Sequence, residues 1–162
     1  MSFAKNRIEE LVNSLKMTPH PEGGFYAETY RAASEIATEN GLRQLATSIF
    51  FLLRSEDVSH FHRIKSDELW FWHEGNPLSV HILGKNGHEI LKLGPMDGNG
   101  TLPQHLVAAN TIFGSCVDEA DTYALVSCVV APGFDFRDFE LFKAEDLLPD
   151  YPEAEEIIRK LT

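Results

Sequence analysis

The chain has 162 residues, 43% hydrophobic and 24% charged, the balance of one globular domain with its own core; disordered, collagen-like and coiled-coil classes are excluded. Fourteen basic against 25 acidic residues leave a net charge of −11, which repels phosphate backbones and anionic lipid, so nucleic acid and membranes are poor partners. The longest strongly apolar run, Ala46 to Leu53, is far shorter than the roughly 20 residues that cross a bilayer, and the charged N-terminal stretch lacks the apolar core of a secretion signal, so a cytoplasmic location is expected.

Ile8, Leu11, Val12 and Leu15 recur at helical spacing and predict an amphipathic helix ending near Met17. Pro19 and Pro21 stop it, and Glu22-Gly23-Gly24 turns the chain into an aromatic strand from Phe25 to Arg31. The pattern stays β as far as Phe142. Strands are predicted at Gln44 to Arg54, Val58 to Ile64, Glu68 to His73, Leu78 to Leu83, Glu89 to Leu93, Leu106 to Val117 and Tyr123 to Ala131. Turns fall at Lys65-Ser66-Asp67, Asn86-Gly87, Asp97-Gly98-Asn99-Gly100 and Pro132-Gly133. Pro152 opens a second amphipathic helix whose face is Ala154, Ile157, Ile158 and Leu161. Many short strands with helices only at the ends predict an all-β domain over residues 1–162, a sandwich or jelly-roll barrel and not an α/β fold. Cys116 and Cys128 have no CxxC spacing and read as free buried thiols.

The segment richest in chemistry runs from His60 through His62 and Glu68 to Gly75. Residues i and i+2 of a strand share a face, so His60 and His62 are expected to project together, with Glu68 facing them after the Lys65 turn. Such a set can hold a divalent metal with open positions or serve as a metal-free acid/base pair. The competing reading is two half-exposed histidines with Glu68 paired to Lys65 or Arg63. Glu68, Trp70 and Trp72 share parity and would give a cavity an aromatic wall, or simply pack the core. Tyr26, Glu28 and Tyr30 alternate on the first strand and could add a phenol donor and a carboxylate, or be ordinary edge residues. Gly23 and Gly24 fit a tight turn and no phosphate loop. His73, His81 and His88 read as surface residues.

The spacing from His60 to Gly75 resembles the first motif of the cupins, which are small jelly-roll barrels. A longer resemblance lies in His20-Pro-Glu-Gly-Gly-Phe25, Phe61-His-Arg-Ile-Lys-Ser-Asp-Glu68 and Pro132-Gly-Phe-Asp-Phe136, which look like hallmarks of a cupin subfamily of unknown function. The resemblance implies a cupin barrel with terminal helices, a homodimer and a fold relationship to sugar-nucleotide epimerases; it brings no established reaction. It also implies that His62 and Glu68 matter more than His60. The second cupin motif would supply another imidazole where this chain has Phe113, which cannot bind metal; His105, eight residues earlier, reads as an exposed strand-end residue, with a substitute ligand as the alternative.

The expected site therefore has His62 and Glu68 at its centre, with Tyr26 and Tyr30 as further catalytic candidates. Trp70, Trp72, Phe113 and Glu28 are the expected pocket residues, and His60, His62 and Glu68 the candidate ligands if one divalent metal is used. Three functions are open: a metal-independent isomerase or epimerase on a small polar or sugar-like molecule, a non-catalytic ligand-binding or sensor module, and a metal-dependent cupin enzyme. The fold cannot choose among them.

Overall fold

A computed structural model describes residues 2–162. Helix α1 (Phe3–Ser14) starts at Ser2, whose hydroxyl accepts the Lys5 N–H, and ends before Met17 because Lys16 takes a left-handed φ of 53° that reverses the chain. Thirteen strands follow: β1 (Thr18–Pro19), β2 (Phe25–Arg31), β3 (Glu35–Thr38), β4 (Gly41–Gln44), β5 (Thr47–Arg54), β6 (Val58–Arg63), β7 (Asp67–Gly75), β8 (Leu78–Gly84), β9 (Gly87–Leu93), β10 (Gln104–Val107), β11 (Ile112–Val117), β12 (Tyr123–Ala131) and β13 (Glu140–Leu141). Two short helices, α2 (Ala144–Leu147) and α3 (Glu155–Lys160), close the chain, the latter entered through Pro152.

The strands form a six-stranded sheet in the order β1-β2-β5-β12-β7-β10 and a five-stranded sheet in the order β13-β6-β11-β8-β9. Consecutive strands switch sheets, as at β5 to β6 and β6 to β7, which is the winding of a jelly roll. The facing sides enclose Phe51, Leu53, Trp70, Val80, Phe113 and Val126. On the outer side of the five-stranded sheet, Leu147, Ile158 and Leu161 cover Phe61, Leu83 and Cys116, so the apolar spacing of the C-terminal segment marks a real docking face. Helix α1 lays Leu11 and its neighbours against Leu52, Tyr123 and Leu125 on the other sheet.

Besides the short unpredicted elements β1, β13 and α2, the structure departs from the predicted elements in two places. The predicted strand from Leu106 to Val117 is two strands in different sheets, because Asn110 adopts φ 63° and the turn bonds Thr111 N–H to the Ala108 carbonyl. Hairpin β3–β4, turning at Glu39-Asn40, stands outside both main sheets and was missed. Its strands are mostly exposed on both faces, so they carry no alternation to detect.

Candidate functional site

The barrel holds a cavity of about 250 Å³. Ile49, Phe51, Trp70, Cys128 and Val130 supply its apolar walls, while Ser59, His62 and Glu68 place polar atoms among them. Two segments cover the mouth: the loop carrying His20 and Glu22, and the stretch carrying Phe134, Phe136 and Phe139. A larger cleft of about 590 Å³ lies along α1, but Lys5, Glu9, Glu56 and Asp121 on its rim are exposed and it has no buried ionisable group.

His62 lies between the rings of Phe113 (4.2 Å between centroids) and Phe139 (5.2 Å, nearly parallel). Its Nδ1 is 2.7 Å from the His60 carbonyl, which can only accept, so Nδ1 carries the proton and Nε2 is left as the basic nitrogen. Desolvation pushes the imidazole pKa down to about 4, with His20 and His60 adding repulsion, so the ring is neutral near pH 7.

Glu68 is 9% exposed, and its Oε2 has no hydrogen-bond partner among the described residues. Burial raises the carboxyl pKa to about 7. The Trp70 indole N–H offsets this only in part, since it too lacks a hydrogen bond of normal geometry. Two buried polar groups side by side without partners are an uncommon and costly arrangement unless something else satisfies them.

His20 was not foreseen as a site residue. Its Nδ1 accepts the Glu22 N–H at 3.0 Å, so the neutral ring carries its proton on Nε2, the reverse of His62. Burial lowers its pKa, and its ring packs edge-on against Tyr26 and Phe51. The loop fits because Gly23 (φ 106°) and Gly24 (φ 75°) run against neighbouring backbone; a Cβ on either would sit 2.4 Å from a carbonyl oxygen, of Val58 or Leu52. The signal was present in His20-Pro-Glu-Gly-Gly, since glycines that permit a close turn also fix the side chains beside them.

The aromatic cover is tied down from beneath. Arg43, 3% exposed, makes two 2.8 Å hydrogen bonds to the Asp138 carboxylate, and Arg31 at the rim bonds Glu28, Gln44 and the Phe134 carbonyl.

Of the expected site residues, the structure brings His62, Glu68, Tyr26, Glu28 and Trp70 to one cavity. His60 is not among them. A bulge in β6 sets Ser59 to His62 against the shorter run Ser115 to Phe113 of β11, so Ser59 and His62 face inward and His60 does not. It sits instead 3.4 Å from Glu22 at the rim. A second bulge, between Glu28 and Tyr30 of β2, turns Tyr30 out to 56% exposure and turns Arg31 in. Trp72 packs in the core beyond the cavity, and Phe113 (1% exposed) backs His62 without reaching the opening. His105 bonds the Lys92 carbonyl, away from the site. His81, read as a surface residue, is only 6% exposed, on the outer face of the five-stranded sheet.

For a metal inside the barrel the residues present fit poorly. His60 is displaced, Phe113 stands opposite His62, and among the described residues His60, His62 and Glu68 do not bring three ligand atoms within 4.8 Å of one another. Of that candidate set only the His62 imidazole and the Glu68 carboxyl line the cavity, and no chemical step is routed through a barrel metal.

The sequence of residues 9–142 matches the family described as Cupin superfamily (DUF985). A hypothetical protein from Leishmania major is 39% identical, with a TM-score of 0.88 over 95% of this chain and 97% of that one. A crystal structure of a Shewanella oneidensis protein is 41% identical, with a TM-score of 0.86 over 95% and 96%. A variant of Bacillus subtilis oxalate decarboxylase shares the fold at 15% identity, TM-score 0.58, over 89% of this chain and 37% of that one.

Proposed function

The chain belongs to the DUF985 family of the cupin superfamily, and from that premise we propose that its barrel binds a small polar or sugar-like carbonyl compound and moves a proton on the carbon next to the carbonyl. The observation that carries this reading is His62: a neutral imidazole, its tautomer fixed by the His60 carbonyl, with Nε2 free in a largely apolar cavity. In the proposed reaction Nε2 takes the proton and the C–H electrons pass into the carbonyl, giving an enolate. The protonated Glu68 carboxyl donates to the enolate oxygen, a role that its raised pKa and unpartnered Oε2 suit. Tyr26 comes from the six-stranded sheet, facing the wall that carries His62, and its phenol returns a proton to the carbon. The tyrosinate then recovers a proton from imidazolium through solvent, which closes the cycle.

The experiment is proton exchange in deuterated water with a panel of aldoses, ketoses and hydroxy-ketones, followed by NMR. Exchange that is lost in His62→Gln and slowed in Tyr26→Phe is expected. No exchange across the panel overturns the catalytic reading. A second reading, a non-catalytic binding module, is favoured by the paired orphan atoms of Glu68 and Trp70, which need only a ligand that hydrogen-bonds. A polar molecule co-purifying with a chain that catalyses no exchange would support it.

The same reading includes a homodimer and a cytoplasmic location. Ile36, Leu42 and Leu45 on or beside the β3–β4 hairpin, with Tyr30, are large exposed hydrophobics of the kind a partner covers, and both cysteines are free. Sedimentation as an 18.2 kDa monomer at micromolar concentration would contradict the dimer.

A further inference from the structure

Outside the barrel, on the face of the five-stranded sheet that also carries the C-terminal helices, β8 and β11 bring together an imidazole, a thiol and a carboxylate. We propose that His81, Cys116 and Asp118 form a binding site for a thiolate-preferring divalent cation of the zinc class, separate from the barrel cavity. His81 Nε2 is 3.6 Å from Cys116 Sγ, and Sγ is 3.8 Å from Asp118 Oδ1. All three ligand atoms lie within 4.8 Å of one another. Tetrahedral zinc, with bonds of about 2.3 Å to sulfur and about 2.0–2.2 Å to nitrogen and oxygen, holds its ligand atoms about 3.5 Å apart. The three ligand atoms therefore lie close to the spacing that a tetrahedral cation requires.

The surroundings orient each ligand. Asp118 Oδ2 accepts from the Ser79 hydroxyl at 2.5 Å and from Lys92 Nζ at 2.9 Å, which leaves Oδ1 turned toward the thiol. His81 Nδ1 lies 2.9 Å from His88 Nε2, the two rings stacked 5.2 Å apart. When His81 donates that Nδ1 proton to His88, its Nε2 lone pair is directed at the site, the arrangement by which proteins fix the tautomer of metal-bound imidazoles. Cys116 and His81 are buried at 1% and 6% exposure, and the half-exposed Asp118 provides the way in. Mixed sulfur, nitrogen and oxygen donors select zinc over magnesium or calcium, and three protein ligands leave a fourth position for water. Binding releases the thiol proton to solvent, so the cation meets a thiolate.

The test uses the untagged full chain, stripped with chelator and titrated with Co²⁺ and then Zn²⁺. The expected result is one Co²⁺ per chain with a thiolate-to-cobalt charge-transfer band, displaced by Zn²⁺. Cys116→Ser abolishes the band, Cys128→Ser leaves it intact, and His88→Gln weakens affinity by about tenfold or more. Should Cys116→Ser fail to fold, Asp118→Asn, altered at a half-exposed side chain, provides the same reading through lost affinity. The absence of a charge-transfer band in excess Co²⁺, or a band that survives Cys116→Ser, overturns the site.

Discussion

Replacing Glu68 by Gln keeps the shape of the side chain and removes its ionisation, which makes stability against pH a direct probe of the buried carboxyl. Below pH 4.5, the ordinary value, folded and unfolded chains both hold the proton and the group contributes no penalty. As pH rises from there to about 7, the unfolded chain ionises while the folded chain still holds its proton, because burial has raised the carboxyl to about 7. Above that, the fold carries a desolvated carboxylate at full cost. At about 1.4 kcal/mol per pKa unit, the span from 4.5 to about 7 corresponds to about 3 kcal/mol lost by the wild type and not by the variant. Urea unfolding of both proteins at several pH values from about 4.5 to about 8 measures this, and the stability advantage of Glu68→Gln should grow by about 3 kcal/mol across the range. Any constant offset from placing an amide beside the Trp70 indole cancels in the comparison. A difference that stays flat with pH would refute the reasoning, for it would mean that the carboxyl is solvated or paired.

The opposite slope belongs to His62. Its folded pKa of about 4 lies below the ordinary 6.5, so its contribution is present above pH 6.5 and lost as pH falls toward 4; His62→Gln should lose up to about 3 kcal/mol less than the wild type over that interval, read by the same urea series. Gly23→Ala forces a left-handed φ on alanine and drives its Cβ against the Val58 carbonyl, so it should destabilise by about 1–3 kcal/mol in thermal melts and weaken ligand retention further by displacing His20. Arg43→Ala removes the two hydrogen bonds that hold Asp138, and limited proteolysis should then cut within Phe134 to Phe139 while the rest of the barrel resists.

The barrel class, the two terminal helices, most strand positions and the convergence of His62 and Glu68 on one cavity were legible in the sequence, because each follows from a periodicity or a turn residue a few positions long. Tyr123 to Ala131 shows this best: it is apolar enough to be a central strand, and it is one, bonded on both sides. Strands without a buried face, such as β3 and β4, left no such trace. Tertiary structure alone decided which of two neighbouring residues reached the cavity. Strand alternation is exact only while the ladder is regular, and a single extra residue reverses every direction beyond it. The bulge in β6 took His60 from the site and the bulge in β2 exchanged Tyr30 for Arg31. Each bulge is set by pairing with a distant strand, β11 in one case and β5 in the other, so no local pattern reports it. For the same reason His81, far in the chain from Cys116 and Asp118, meets them only when β8 is laid beside β11.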